Sequence, residues 1–189
     1  MTRVLYLLIA LMITLSSCTS DKSKEAAGVY VERISRNLAK SDKDSLLKIR
    51  DELSQEENDE LRSQVFIQTA DSSMKLRAMA LVLTHSPENV ADTVLKYPST
   101  DFATEIHHSY HMLNISNDYK KVTVHTQEKF DALTPDQQAL IVVAYMSAEE
   151  IAAAIEPGDE ALVSAVRKIY NRNPEELTRF NNALSNKQQ

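Results

Sequence analysis

The sequence predicts an all-α protein, a single irregular, orthogonal bundle of about eight to ten short helices, and three observations lead there. The chain has two glycines in 189 residues, where an average chain of that length carries roughly 13. Sheet folds built on tight turns need more. Apolar residues recur at three- and four-residue spacing along most of the chain, the period of one face of a helix. Finally, Ser86-Pro87, Thr134-Pro135 and Asn173-Pro174 each set a capping side chain before a proline, whose missing N–H costs nothing at a first helical position. These openings are unequally spaced, and repeat proteins need a fixed period, so a helical-repeat solenoid is only the outside alternative.

The helical domain is expected over residues 25–185. Ala27, Tyr30, Val31, Ile34 and Leu38 make the first stripe, and Leu46, Ile49 and Leu53 the second. Ser54-Gln55-Glu56-Glu57 reads as a capping box opening a third helix that buries Leu61, Val65 and Phe66. The pattern breaks near Ala70-Asp71-Ser72-Ser73 and resumes at Met74. Ala78 to Leu83 is apolar on all sides and is expected at the centre of the core. Ser86-Pro87 opens a short helix that Tyr97-Pro98 closes. Thr100-Asp101 opens the next, with Phe102, Ile106, Tyr110 and Leu113 inward.

Asn117 or Asp118 is expected to cap a helix carrying Tyr119, Val122, Thr126, Phe130 and Leu133. Lys121-Val122-Thr123-Val124 alternates as a strand would, but no other segment offers it a partner, which favours helix. Thr134-Pro135-Asp136-Gln137 opens a helix through Ala139 to Met146, a nearly unbroken apolar run expected to form a second central helix. Ser147-Ala148-Glu149-Glu150 opens another, and Glu156-Pro157-Gly158-Asp159 makes a turn. Ala161 to Tyr170 is expected to point Leu162, Val166 and Ile169 inward. Asn173-Pro174-Glu175-Glu176 opens the last helix, carrying Leu177, Phe180 and Leu184, with residues 186–189 a frayed tail.

The N-terminus reads as an address. Val4 to Leu15 contains Thr14 as its only polar residue. As a helix it would span about 18 Å, short of a hydrocarbon core of roughly 30 Å, so it suits a signal-peptide h-region better than a membrane span. Leu15-Ser16-Ser17-Cys18 resembles the lipobox of bacterial lipoproteins. The resemblance implies that residues 1–17 are a signal peptide cleaved between Ser17 and Cys18. It also implies that the Cys18 sulfur takes a diacylglycerol thioether and that the new N-terminus is acylated, for instance with palmitate. Two or three chains, at about 0.8 kcal/mol per buried methylene, anchor a protein stably. Residues 18–24 would form a lipidated polar tether. Thr19 stands where an Asp would signal inner-membrane retention in enterobacterial lipoproteins, so the resemblance implies the outer membrane, with the face left open.

Composition excludes several functions. The net charge is −6, and losing Arg3 with the signal leaves 20 basic and 27 acidic side chains. That balance argues against nucleic acid as a partner. The one cysteine is assigned to lipid, which leaves no thiol nucleophile. There is no Gly-x-Ser-x-Gly elbow, glycine-rich phosphate cradle, haem-attachment motif or calcium loop, so no catalytic residue and no cofactor is expected.

One constellation remains: Asp101, Glu105, His107, His108 and His111. His107 and His111 are four apart and share a helical face that suits a metal, given a third ligand from elsewhere. The stretch keeps the outer histidines of the zinc-protease motif His-Glu-x-x-His, but His108 occupies the place of the general-base glutamate. The six acids from Asp51 to Glu60 read as a solvated turn and helix start, and His85 and His125 as capping or surface residues. Asp44-Ser45-Leu46 and Asp92-Thr93-Val94 match a tripeptide at which some bacteria O-glycosylate exported proteins, and Asn114-Ile115-Ser116 is a formal N-glycosylation sequon.

The leading expectation is a non-enzymatic lipoprotein, bound to the bilayer through acylated Cys18, whose helical domain binds an envelope protein or peptide. An envelope hydrolase or metal-dependent enzyme using His107, His111 and a carboxylate is the alternative. A carrier of small apolar ligands is the second.

Overall fold

Short apolar stripes bounded by capping residues can only make short helices. The computed structural model, which describes residues 22–56 and 59–187, contains eleven of them and no strand among the described residues. In chain order they are α1 (22–39), α2 (Lys43–Gln55), α3 (Asp59–Ile67), α4 (Met74–Thr84), α5 (Pro87–Lys96) and α6 (Thr100–Leu113). There follow α7 (Ser116–Asp131), α8 (Pro135–Tyr145), α9 (Ala148–Ala154), α10 (Glu160–Tyr170) and α11 (Pro174–Lys187). The count exceeds the expected eight to ten because residues 68–73 fully separate α3 from α4. Ser73 starts α4 afresh, its hydroxyl accepting from the Leu76 N–H at 3.3 Å. The alternating segment Lys121–Val124 lies inside α7.

The chain divides into two compact units, one holding the described residues up to Ser86 with Thr104–Tyr119, the other Pro87–Ala103 with the residues from Lys120 onward. The first unit is organised around α4. Every residue from Ala78 to Thr84 is buried there, against α2 and α3, and the Thr84 hydroxyl donates to the Ala80 carbonyl at 2.7 Å. Ile34, Leu46, Ile49, Leu53 and Val65 are fully enclosed, as the stripes required. Arg33 grips Glu52 with two hydrogen bonds of 2.7 and 3.1 Å, tying α1 to α2. That contact holds the Glu52 carboxyl below its ordinary range.

Two helices of this unit end in left-handed residues that are not glycine, Ser41 at φ 53° and Asn114 at φ 57°. After α1, the Ser41 N–H donates to the Leu38 carbonyl and the Asp42 N–H to that of Asn37; after α6, Asn114 and Ile115 repeat the pattern on His111 and Tyr110. This is the Schellman arrangement, which satisfies carbonyls the helix leaves orphaned. Asp42 then caps α2, its carboxylate accepting from the Ser45 N–H and hydroxyl. A chain that uses Ser and Asn in this way can stop helices with few glycines.

Three expectations change here. Ser54 opens no helix: α2 runs two residues beyond Leu53, and the Ser54 hydroxyl donates back to the Asp51 carbonyl at 2.8 Å, while Glu57 lies outside the described residues. Neither Asn117 nor Asp118 caps α7, because the Asn114 turn starts that helix at Ser116 and carries both into its first turn, where Asp118 pairs with Arg50 at 2.6 Å. Residues 22–24, expected as the end of a polar tether, belong to α1, and Ser23 is buried; residues 18–21 lie outside the described residues.

In the second unit α8 to α11 share a core of Ala139, Ile151, Val163, Val166, Tyr170 and Phe180 with their neighbours. The Tyr170 and Phe180 rings meet edge to face at 5.9 Å. Capping boxes stand where expected: Thr134 with Gln137 at α8 and Ser147 with Glu150 at α9. Gly158, at φ +96°, makes the turn into α10 in a conformation that side chains resist. The inward face of α10 is centred on Val163, Val166 and Tyr170, leaving Leu162 and Ile169 half-buried. Helix α11 continues to Lys187, beyond the expected start of fraying. The Lys187 ammonium donates to the carbonyls of Ala153 and Ile155 at 2.7 and 2.6 Å, capping the end of α9.

Helix α8 corrects a larger expectation. It is not a second central helix: Ala139 is its one buried residue, Ile141, Val142, Val143 and Tyr145 are half-buried, and Leu140 is 61% exposed. Its main packing against other helices is on α10 and, more narrowly, α9. The remainder of an all-round apolar surface is left open.

Candidate functional site

That open surface forms a groove of about 640 Å³ within the second unit. Its walls follow from the local sequence. The end of α5 supplies Val94 and Leu95, the last turns of α7 supply Phe130, and α8 supplies Ile141, Val142 and Tyr145. Met146, Ile151, Ile155 and Leu162 close the far side. On another side of α8 lies a second groove of about 600 Å³, lined by Pro98, Leu133 and Leu140 and sharing Leu95 and Ile141 with the first.

Hydrogen bonds and ion pairs fix the walls. Tyr145 donates its hydroxyl to the Val94 carbonyl at 3.3 Å, and burial pushes its phenol above the ordinary value. Gln138 donates to the Phe130 carbonyl at 3.0 Å. Helix α5 is strapped to α7 by Lys129 on Asp92 and by His125 on Glu88 at 3.1 Å. The polar groups at the groove are neutral or acidic: Thr126, Gln127 and Gln138 are neutral, Asp131, Glu156 and Asp159 are acidic, and no Lys, Arg or His lines it among the described residues. Asp159 already works as the cap of α10, accepting from the Leu162 N–H at 3.1 Å. Asp131 accepts from Gln127 at 2.7 Å. An apolar floor with a few polar groups at its edge is the usual make-up of a ligand or peptide site.

No family model, curated protein or solved structure matches the chain. What the site can do therefore rests on its own chemistry.

The residues singled out from sequence fall elsewhere. Ser17 and Cys18, with the rest of the signal and lipobox, lie outside the described residues. His107 and His111 are both exposed on α6, and the His107 ring packs against Tyr119 with centroids 4.8 Å apart. No three His, Cys, Asp or Glu side chains gather to hold a metal ion among the described residues, so no third ligand joins that pair.

A cavity of about 260 Å³ in the first unit does collect Glu105, His108 and Ser109 with Lys75. Its geometry activates no nucleophile. The buried Ser109 hydroxyl donates to the Glu105 carbonyl at 2.8 Å, and His108 Nδ1 stands 3.9 Å from the Glu105 carboxylate, beyond hydrogen-bond reach. His85 closes α4: its Nδ1 lies 2.6 Å from the Thr84 hydroxyl and its ring meets Phe66 edge-on, where burial, with help from Arg62, lowers its pKa. His125 sits between Glu88 and Glu128 as a strap. In the two tripeptides, Ser45 is committed to Asp42 and the Thr93 hydroxyl donates to the Asn89 carbonyl at 2.9 Å.

The groove itself was not singled out from sequence. The available signal was the α8 run, whose apolar residues outnumber the places a short helix pair can cover.

Proposed function

We propose that the protein is a lipid-anchored component of the bacterial envelope, held at the outer membrane through acylated Cys18, whose second unit binds apolar side chains of an envelope protein or peptide. The observation that carries the binding reading is the apolar groove along α8, with Leu140 61% exposed beside it. Water against that much hydrocarbon is unfavourable, at about 25 cal/mol per Å² left uncovered, and a partner that covers it gains the same amount. The anchor reading rests on the lipobox resemblance and concentrates the groove near a membrane surface. The groove offers no arrangement of acid, base and nucleophile, which favours recognition over catalysis.

Two measurements test this. An alkyne analogue of palmitate fed to the producing cells is expected to label the wild type and not Cys18→Ala; label on the variant would overturn the anchor. A photo-cross-linking amino acid replacing Val142 is expected to form a discrete adduct in the native membrane, while one replacing Val29, 55% exposed in the first unit, forms none. Equal capture from both positions would overturn the groove as the binding face.

A further inference from the structure

We infer that the occupant of the groove is a basic amphipathic helix, a peptide segment with one apolar stripe flanked by Lys and Arg; this rests on the binding reading above. Three observations point to that chemistry. The floor is hydrocarbon from Leu95, Phe130, Ile141, Val142 and Leu162, which calls for an apolar stripe. The charged groups at its edge are Asp131, Glu156 and Asp159, all exposed, and no cation is among the described lining residues; Arg167 and Lys187 share an adjoining pocket with Glu156 and Asp159, but Arg167 donates to Asn181 and Lys187 to the carbonyls ending α9. A segment with acids beside its stripe would meet three like charges, and one with bases meets complementary ones, which sets partner choice and encounter rate.

The third observation is the form of the walls. They are helices and the turns that join α8, α9 and α10, and among the described residues no strand offers an edge on which an extended peptide could continue a sheet. Helix-in-groove docking, with anchors at i, i+3, i+4 and i+7, is the mode such walls accept. Leu95 and Ile141 also line the second groove, whose charged groups are the Lys129–Asp92 pair and Lys96, a cation set 5.3 Å over the Tyr97 ring.

The test uses the full lipidated chain in zwitterionic phosphatidylcholine nanodiscs, with empty nanodiscs as control. The probes are two fluorescent 18-residue amphipathic helices with the same leucine stripe, one flanked by Lys and one by Glu, each carrying a benzophenone on the stripe. A neutral apolar dye, Nile red, is the third. The Lys peptide is expected to bind at least about tenfold tighter than the Glu peptide at 50 mM salt, the preference shrinking at 500 mM as the charges are screened. Its cross-links are expected to map to the segment containing Ile141 and Val142. Neutralising the rim with Asp131→Asn and Glu156→Gln, both exposed and neither a helix cap, is expected to weaken the Lys peptide about fivefold. Nile red should be unaffected by that change, and unchanged circular dichroism shows that the fold persists.

Equal binding of both peptides, cross-linked in the groove, overturns the charge inference and leaves the groove reading intact. So does binding of Nile red there with no peptide bound, which would make the groove a small-ligand site. Cross-links that avoid the groove for every probe, with Nile red also absent from it, overturn both.

Discussion

Helices α4 and α8 are alike in length, eleven residues each, and alike in having apolar side chains on every face. Their surroundings differ. Along α4 seven consecutive residues from Ala78 to Thr84 are buried, with α2 and α3 against them. Along α8 only Ala139 is, and Leu140 stands 61% exposed. An all-round apolar helix needs cover on all sides. The first unit supplies it from its own chain, and in the second the cover ends where the groove begins. The same sequence pattern thus serves stability in one place and leaves an open apolar surface in the other.

The largest test of this difference is truncation. Leu81, with no exposure, should cost about 2–5 kcal/mol when changed to Ala, the sum of lost burial and the cavity left behind. Leu140→Ala should stay within about 0.5 kcal/mol, since its side chain is already in water. Urea denaturation of the two variants decides: comparable losses would mean that α8 is as much a core helix as α4.

The caps give a smaller contrast. Thr134 accepts the Gln137 N–H at 3.4 Å while Gln137 returns a contact of 3.0 Å to the Thr134 N–H. Thr134→Ala should lose about 1 kcal/mol, as removal of an N-cap typically does. Because α8 has little buried surface to hold it, that loss should appear as faster amide exchange through the first turns of α8. Exchange unchanged there would show that packing on α10 alone fixes the helix.

Such caps were legible because they are local. Thr134 and Ser147 act on residues three positions away, Ser86-Pro87 and Asn173-Pro174 mark the starts of α5 and α11, and the apolar patterns of α2 and α4 are equally local. Ser54 misled because a serine hydroxyl can also bond backward within a helix, as it does to the Asp51 carbonyl in the last turn of α2. The exposure of α8 was not legible, because burial depends on which distant segments cover a face. Periodicity cannot register that for a helix apolar all round. The role of Lys187 was hidden for the same reason: only the fold brings it to the carbonyls ending α9, 32 and 34 positions back in sequence.

Acidity should separate the units further. Burial lowers the pKa of His85, so the unfolded chain takes up a proton at the ordinary histidine value before the folded one does. Between those two values the unfolded state binds more protons. The stability that neutral His85 contributes is complete above about pH 6.5 and is lost as pH falls toward its folded value. The urea midpoint should therefore drop between pH 7.5 and 5.5, and His85→Gln should remove much of that drop. A drop that survives the substitution would place the sensitive group elsewhere.

The smallest effect concerns how the first unit ends its helices. Ser41 holds φ at 53°, where its Cβ crowds the following carbonyl, a conformation that glycine adopts freely. Asn114 shares the conformation but suffers less, since its short amide tolerates it. Ser41→Gly removes the crowding at the cost of a looser unfolded chain, for a net gain of about 0.5 kcal/mol. Asn114→Gly should gain less. Both hydrogen bonds of the turn come from backbone N–H groups, on Ser41 and Asp42, so the substitution leaves them in place. A loss of stability in Ser41→Gly would mean that the serine side chain itself holds the α1 to α2 corner. The scarcity of glycine would then reflect side-chain contacts at helix ends, with backbone crowding secondary.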